Sequence, residues 1–361
     1  MGSHSGLVPL SKAVAAAWDG NFQKVEMTGE TPAAFAKAGR RLRKFFASPP
    51  AQPEWETIRD KWSPFYSAKA WRLEQAIIQT VKNSSPDIVF LECIEDQYFC
   101  LAQERGSWHK TRLVGMSHQA PAWWRRHHAR PEIVSSLDLL VVVASGTKSW
   151  WEQYIAPEKI YFLPHGVDAD FFVALPVAPE RVVRGGSLRV VFSGFWLRDF
   201  QTLAKVVGLA DQQNLDVTFD LIVPIHARKT EGCHQLDRSP RVRWHAGLSD
   251  VELRNVYQQA DLLLLTLTDS TANNGLLEGM ACGLPAIVTD VGGVRDYANE
   301  QFADFVRPGD AVEIINLLKK HGADRNRLAR RGALARDHVE KHLSWDRVAS
   351  RFAGILNNLD N

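Results

Sequence analysis

The run Ala260–Thr268, ADLLLLTLT, constrains this chain more than any other feature. It is a short, continuous apolar stretch, the pattern of a strand buried on both faces of a parallel sheet. The residues that follow, DSTANNGLLEGMACGLPAIVTDVGGVRD from Asp269 to Asp296, fix its neighbours. Asn273 and Asn274 can cap a helix, and Gly275 lets backbone come close to a ligand. Gly283 supplies a left-handed helix stop, and Pro285 forbids resumption. The next strand, AIVT, ends in a second glycine turn, Gly292-Gly293. Successive strands thus deliver polar loops to one sheet edge with a helix N-terminus between them. That is where α/β proteins hold phosphorylated ligands.

The remainder of the chain repeats this alternation. In the first half, DIVFLECIE (Asp87–Glu95), TRLVGMSH (Thr111–His118), LDLLVVVAS (Leu137–Ser145) and YFLPHG (Tyr161–Gly166) read as strands separated by helices. In the second, LRVVFSG, DVTFDLIVP, VRWHAG, DLLLLTLT and AIVT alternate with helices, which implies a parallel sheet. Between the halves, residues 173–187 have the proline and glycine content of a linker. A chain of 361 residues suits two domains. We expect an N-terminal domain over 1–172, a C-terminal domain over 188–340, and a closing helix over 341–361.

Composition excludes several classes. A net charge of +2 is too small for a general nucleic-acid binder. No stretch approaches the roughly 18 apolar residues of a membrane span, and no basic-then-apolar leader follows Met1. Cys93, Cys100, Cys233 and Cys282 lack metal-binding spacing and read as reduced intracellular thiols, so the cytoplasm is the expected location.

Within the central helix, Glu278 is the odd residue, a charge expected in the first turn among core-like neighbours. It reads either as a carboxylate in the helix-dipole field or as an acceptor for vicinal sugar hydroxyls. Its surroundings carry a resemblance. LLEGMACGLPAIVTDVGG is similar to the donor-site signature of retaining GT-B glycosyltransferases, family 4. HGVD (His165–Asp168), VVFSGFWLRDF (Val190–Phe200) and HAGLSDVELRNVYQQADLLLL match further elements of that family in order.

The resemblance implies two Rossmann-like domains facing a central cleft, and transfer of a sugar from a nucleotide-diphosphate donor to a glycan or lipid-linked hydroxyl. It implies no metal or other cofactor. Glu278 would hold the ribose, and Gly194, Ser270, Asn273, Asn274, Gly275, Leu276 and Gly293 would surround the donor. Arg198 would face the diphosphate, aided by Lys205, unless it forms a surface salt bridge with Asp199 or another carboxylate. His118, after the strand VGMSH, would meet the sugar; its other reading is a hydrogen-bonded histidine on the wall. The terminal helix would cross back onto the first domain.

One position departs from the pattern. Eight residues before Glu278 the family has a glutamate near the transferred sugar, and here stands Ser270, with Asp269 one place out of register. A non-catalytic nucleotide-binding relative, or another GT-B enzyme such as a nucleotide-sugar epimerase, therefore stays open. Asp168-Ala169-Asp170 and His127-His128 look like metal motifs but sit in the wrong context. Trp123 and Trp124 could stack on a ligand or simply pack. GSHSGLVPLSKAVAAA reads as a glycine-rich loop and first helix, bringing in Gly2, Ser5 and Gly6, or as an expression scar. AGRRLRKFF (Ala38–Phe46) is a solvated face, or a peripheral membrane contact through Arg40, Arg41, Arg43 and Lys44.

Overall fold

A computed structural model describes residues 13–14, 54–61, 66–108, 110–127, 130–175 and 186–359. Gly2, Ser5, Gly6, His128 and the basic residues Arg40, Arg41, Arg43 and Lys44 lie outside the described residues. The chain divides into two compact units: Val143–Gly146 and Phe162–Asn361 belong to one, Asn21–Val142 and Thr147–Tyr161 to the other.

The smaller unit holds a sheet in the order β1 (Ile88–Leu91), β2 (Arg112–Ser117), β3 (Leu139–Val142), β4 (Ile160–Phe162). Its first three strands pair in parallel. Helix α1 (Ala68–Ser84) carries Glu74 into the interior. There the carboxylate accepts the amides of Phe99 (2.7 Å), Cys100 (3.2 Å) and Leu101 (3.0 Å), capping the short helix that starts at Cys100. Trp123 and Trp124 are buried, in edge contact with each other, and Trp124 packs on Trp151. Packing is thus the reading that holds for this pair.

The larger unit is a fully parallel six-stranded sheet, order β10 (Ala303–Val306), β9 (Ala286–Thr289), β8 (Leu262–Leu265), β5 (Leu188–Ser193), β6 (Val217–Ile222), β7 (Val242–His245). Strand β10 was not foreseen; ADFV is short and broken by an aspartate. Period-two alternation feeds two cores. Leu263 and Leu265 of β8 join Met280, Tyr257 and Val339 on one face, while Leu262 and Leu264 join Leu203, Val206 and Ile315 on the other. The covering helices are α2 (Phe200–Gln212), α3 (Asp250–Gln259), α4 (Asn274–Ala281), α5 (Ala311–Ala323) and α6 (Arg325–His342), and α7 (Trp345–Asn357) follows α6.

Local chemistry sets the helix ends. Ser249 and Glu252 form a reciprocal capping box at α3. At the end of α4, Gly283 turns left-handed (φ 77°), its amide bonds Met280, and the Leu284 amide bonds Gly279. This is the Schellman arrangement expected from Gly283 and Pro285.

The expected boundary at 172 falls too late. Val167, Ala169 and Phe172 pack into the core of the larger unit, and Arg336 of α6 donates to the carbonyls of Ala169 (2.9 Å) and Phe172 (2.6 Å). Residues 162–175 therefore belong with the C-terminal unit, as does α7. Cys93, Cys100, Cys233 and Cys282 form no disulfide.

Candidate functional site

The chain order of the larger sheet reverses between β5 and β8. It runs β5-β6-β7 to one side and β8-β9-β10 to the other. At the carboxyl edge of such a switch point the flanking loops diverge and leave a crevice. The β5 exit (Ser193–Asp199) and the β8 exit (Thr266–Asn273) flank it here.

The two loops are joined across that point. The Asp199 amide bonds the Thr266 carbonyl (2.9 Å), the Thr268 amide bonds the Leu197 carbonyl (3.0 Å), and the Thr266 hydroxyl bonds the Asp199 carbonyl (2.8 Å). Arg198 staples the first loop to itself. Its Nε donates to the Ser193 carbonyl (2.8 Å), Nη1 to the Trp196 carbonyl (3.0 Å) and Nη2 to Asn273 Oδ1 (3.0 Å). The guanidinium lies on Gly194 (φ 91°), where a Cβ would meet Nη2 at 2.7 Å. Those bonds take three of its five N–H groups, leaving one on each terminal nitrogen. Burial lowers the Arg198 pKa to about 10 against the opposing influence of Tyr257 and Glu278, so the cation persists at neutral pH. The alternative pairing with Asp199 does not form, because that carboxylate caps α2 through the Thr202 amide (2.9 Å) and hydroxyl (2.5 Å).

Asn273 is the shared hinge of the arrangement. Its Oδ1 also accepts the Leu276 amide (3.2 Å), capping α4. Asn274 is not a cap; it is the first helical residue. The amides of Asn274 and Gly275 have no partner among the described residues, as expected for the first turn. Gly275 packs closely within the protein: a Cβ there would lie 3.3 Å from Ser193 Cβ, a tight contact that a small shift could relieve.

Glu278 is the fifth residue of α4, beyond the first turn, and it is buried. Its Oε2 accepts the Tyr257 hydroxyl (3.0 Å). Burial first, then the Glu278 charge, push the Tyr257 pKa well above its ordinary value, which fixes the phenol as a neutral donor. Tyr257 was absent from the expected site. Its only sequence signal is a hydroxyl-bearing aromatic on the apolar stripe of α3.

Ser270 is buried, with its hydroxyl directed at the Thr271 carbonyl (3.4 Å). Its own carbonyl accepts the Gly293 amide (2.8 Å), locking the β9 exit onto the β8 exit. Both glycines of that turn are demanded by the protein. A Cβ on Gly292 would fall 1.9 Å from the Ser270 carbonyl oxygen, and one on Gly293 would fall 2.7 Å from Ala144 Cβ and 2.9 Å from the Thr271 carbonyl oxygen. Lys205 is exposed on the second turn of α2 and takes no part in these bonds.

In the smaller unit, His118 follows β2 directly. Its Nε2 lies 2.7 Å from the Glu92 carbonyl and its amide donates to buried Glu95 (2.6 Å), which also accepts from Ser117 and Gln119. Asp168 caps its own turn at the Phe171 amide (2.9 Å). Among the described residues no cluster of three His, Cys, Asp or Glu is placed to hold a metal, and no helix is long and apolar enough to cross a membrane.

Comparison with known proteins agrees with this geometry. Residues 188–321 match the family model Glycosyl transferases group 1. A D-inositol 3-phosphate glycosyltransferase of Paenarthrobacter aurescens is 24% identical over 212 residues, covering 54% of this chain and 50% of that relative. The chain therefore spans about half the length of that relative. Sucrose-phosphate synthase from Thermosynechococcus elongatus superposes with a TM-score of 0.66 at 14% identity, covering 87% of this chain and 82% of that one. Anabaena HepE in complex with UDP superposes with a TM-score of 0.65 at 15% identity, covering 80% and 82%. Residues 188–321 are thus a glycosyl transferases group 1 domain, carried in a chain with the two-sheet α/β fold of GT-B glycosyltransferases.

Proposed function

We propose that this protein is a retaining, metal-independent glycosyltransferase moving a sugar from a nucleotide-diphosphate donor to a hydroxyl of a glycan or lipid-linked acceptor. The carrying observation is the meeting, at one switch point, of a helix N-terminus with open amides, the Arg198 cation bonded to its cap, and the Glu278–Tyr257 pair. Negative charge grows on the diphosphate as the bond from the anomeric carbon to the phosphate oxygen breaks. The open amides and two remaining Arg198 N–H groups supply fixed positive charge for it. A new bond forms from acceptor oxygen to the same face of the sugar, and the acceptor proton leaves with the departing phosphate. Glu278, oriented by Tyr257, is the ribose acceptor. The UDP complex of Anabaena HepE makes uridine nucleotides the first to test.

The test is calorimetric titration with UDP, GDP and ADP, bare and sugar-linked. Selective binding lost in Glu278→Ala supports the assignment; no nucleotide binding by folded protein defeats it.

A non-catalytic nucleotide-binding reading is favoured by one observation, the buried, internally bonded Ser270 where the family carries a glutamate. On that reading Ser270→Glu creates transfer or donor hydrolysis. If serine is native to the mechanism, the same change lowers an activity already present.

A further inference from the structure

We propose that a cavity at the amino edge of the larger sheet is a second ligand site, for a phosphate monoester with an apolar body. Its volume of about 630 Å³ falls within the roughly 300–1,000 Å³ of small-molecule sites. Its walls lie where strands begin: Arg189 in β5, Thr218 in β6, Arg243 in β7, Asp261 before β8 and Pro285 before β9. The donor crevice lies where β5 and β8 end. A strand's length, about 13–20 Å, therefore separates the two.

Apolar surface and charge are segregated along the sheet order. Leu284 and Pro285 lead into β9, and Leu328 and Ala329 of α6 line the cavity with them. Helix α6 is pressed onto that side: a Cβ on Gly332 would fall 2.1 Å from the Gly283 carbonyl oxygen. The cationic side is built by β5, β6 and β7. Arg189 pairs with Thr218 and Asp220 with Arg243, and alternate residues of β6 share a face, so Arg189, Thr218 and Arg243 project together.

The acids of the cavity are already paired. Asp261 takes Arg325 (2.8 Å) and the Arg189 amide (2.8 Å), Glu340 takes Arg336 (2.7 Å), and Asp337 takes Lys341 (2.7 Å). Two arginines keep unspent donors. Arg243 is exposed, and its guanidinium has no polar partner among the described residues. Arg189 makes only long bonds from Nη2, to Gln259 (3.3 Å) and to Asp220 (3.4 Å), which His245 shares at 2.8 Å. Its Nη1 has no partner among the described residues.

Two cations on one wall match a phosphate monoester, which carries about −1.5 to −2 at neutral pH. Planar guanidinium forks grip its oxygens in paired, charge-assisted bonds. A neutral sugar would answer neither charge, and a carboxylate only one. The opposite wall then receives the apolar body. Leu175, 41% exposed, and Gly186 both line the cavity, and residues 176–185 between them lie outside the described residues. The full chain, with that segment in place, is therefore the molecule to test.

The experiment is calorimetric titration of the full chain with 1-naphthyl phosphate, 1-naphthol and inorganic phosphate. The ester is expected to bind saturably, about tenfold tighter than either fragment, and equally well with UDP present. Arg243→Gln and Arg189→Gln should each weaken it about tenfold, and Leu175→Asp about threefold through lost apolar contact. Arg238→Gln, at an exposed position outside the cavity, should leave it unchanged. Thermal unfolding of Arg243→Gln should match wild type, since that side chain holds no other element. Absence of saturable binding, 1-naphthol binding as tightly as the ester, or displacement by equimolar UDP overturns the proposal. So does an unchanged affinity in folded Arg243→Gln. Ester binding by a chain that binds no nucleotide would sink the transferase reading and leave this site standing.

Discussion

Gly292 shows how tightly single residues are specified here. A Cβ at that position would overlap the Ser270 carbonyl oxygen at 1.9 Å, in a backbone conformation (φ 52°) that alanine avoids. Gly292→Ala should cost about 3 kcal/mol by overpacking and strain. Gly106→Ala, with open space around it, should stay within about 0.5 kcal/mol. Denaturant unfolding of both variants checks the contrast. Asn273→Ala should remove about 1 kcal/mol of capping stabilisation and also weaken nucleotide-diphosphate affinity, since Arg198 Nη2 loses its acceptor. Paired unfolding and titration would separate those effects. The cap at Asn273 and the oddness of Glu278 were legible because helix caps and buried charges leave local marks. The phenol that holds Glu278 comes from a different helix, and no local pattern records that meeting.

At the scale of elements, α4 was readable because cap, stop glycine and proline all fall within a few residues of it. The β5–α2 loop was not. Its shape depends on bonds to the β8 exit, distant in sequence, and on an arginine facing inward. Arg198→Lys keeps the charge but cannot reproduce three bonds from a planar fork. We expect it to weaken nucleotide-diphosphate binding about tenfold, with Lys205→Ala within twofold of wild type because Lys205 stands apart from these bonds. Isothermal titration of both variants decides whether the fork or mere positive charge matters. Equal losses in the two would mean the loop geometry contributes nothing.

Across the molecule, the alternating strands and helices gave the fold class, but not the early boundary near 162, because Phe172 joins the larger core through contacts remote in sequence. Acid sensitivity is expected from a half-buried carboxylate, Asp304. Burial acts to raise the pKa of Asp304, but bonds from His321 (2.8 Å) and Arg331 (2.9 Å) outweigh it, so the carboxyl lies below its ordinary range. A carboxylate whose folded pKa is depressed contributes stability fully above its unfolded pKa, about 3.9. That contribution is lost as pH falls through the folded value. Wild type should therefore lose Tm steeply below about pH 4. Asp304→Asn should lose less there while starting about 3 kcal/mol less stable at pH 7, having stranded buried Arg331. Thermal unfolding from pH 3 to 7 checks both.

Nucleotide-sugar binding at Glu278 is tested most directly by calorimetric titration of the full chain with UDP and a UDP-linked sugar, on wild type and Glu278→Ala. Saturable binding by wild type is expected, at least tenfold weaker in the variant. Folded wild-type protein that binds neither these nor the GDP and ADP counterparts would contradict it.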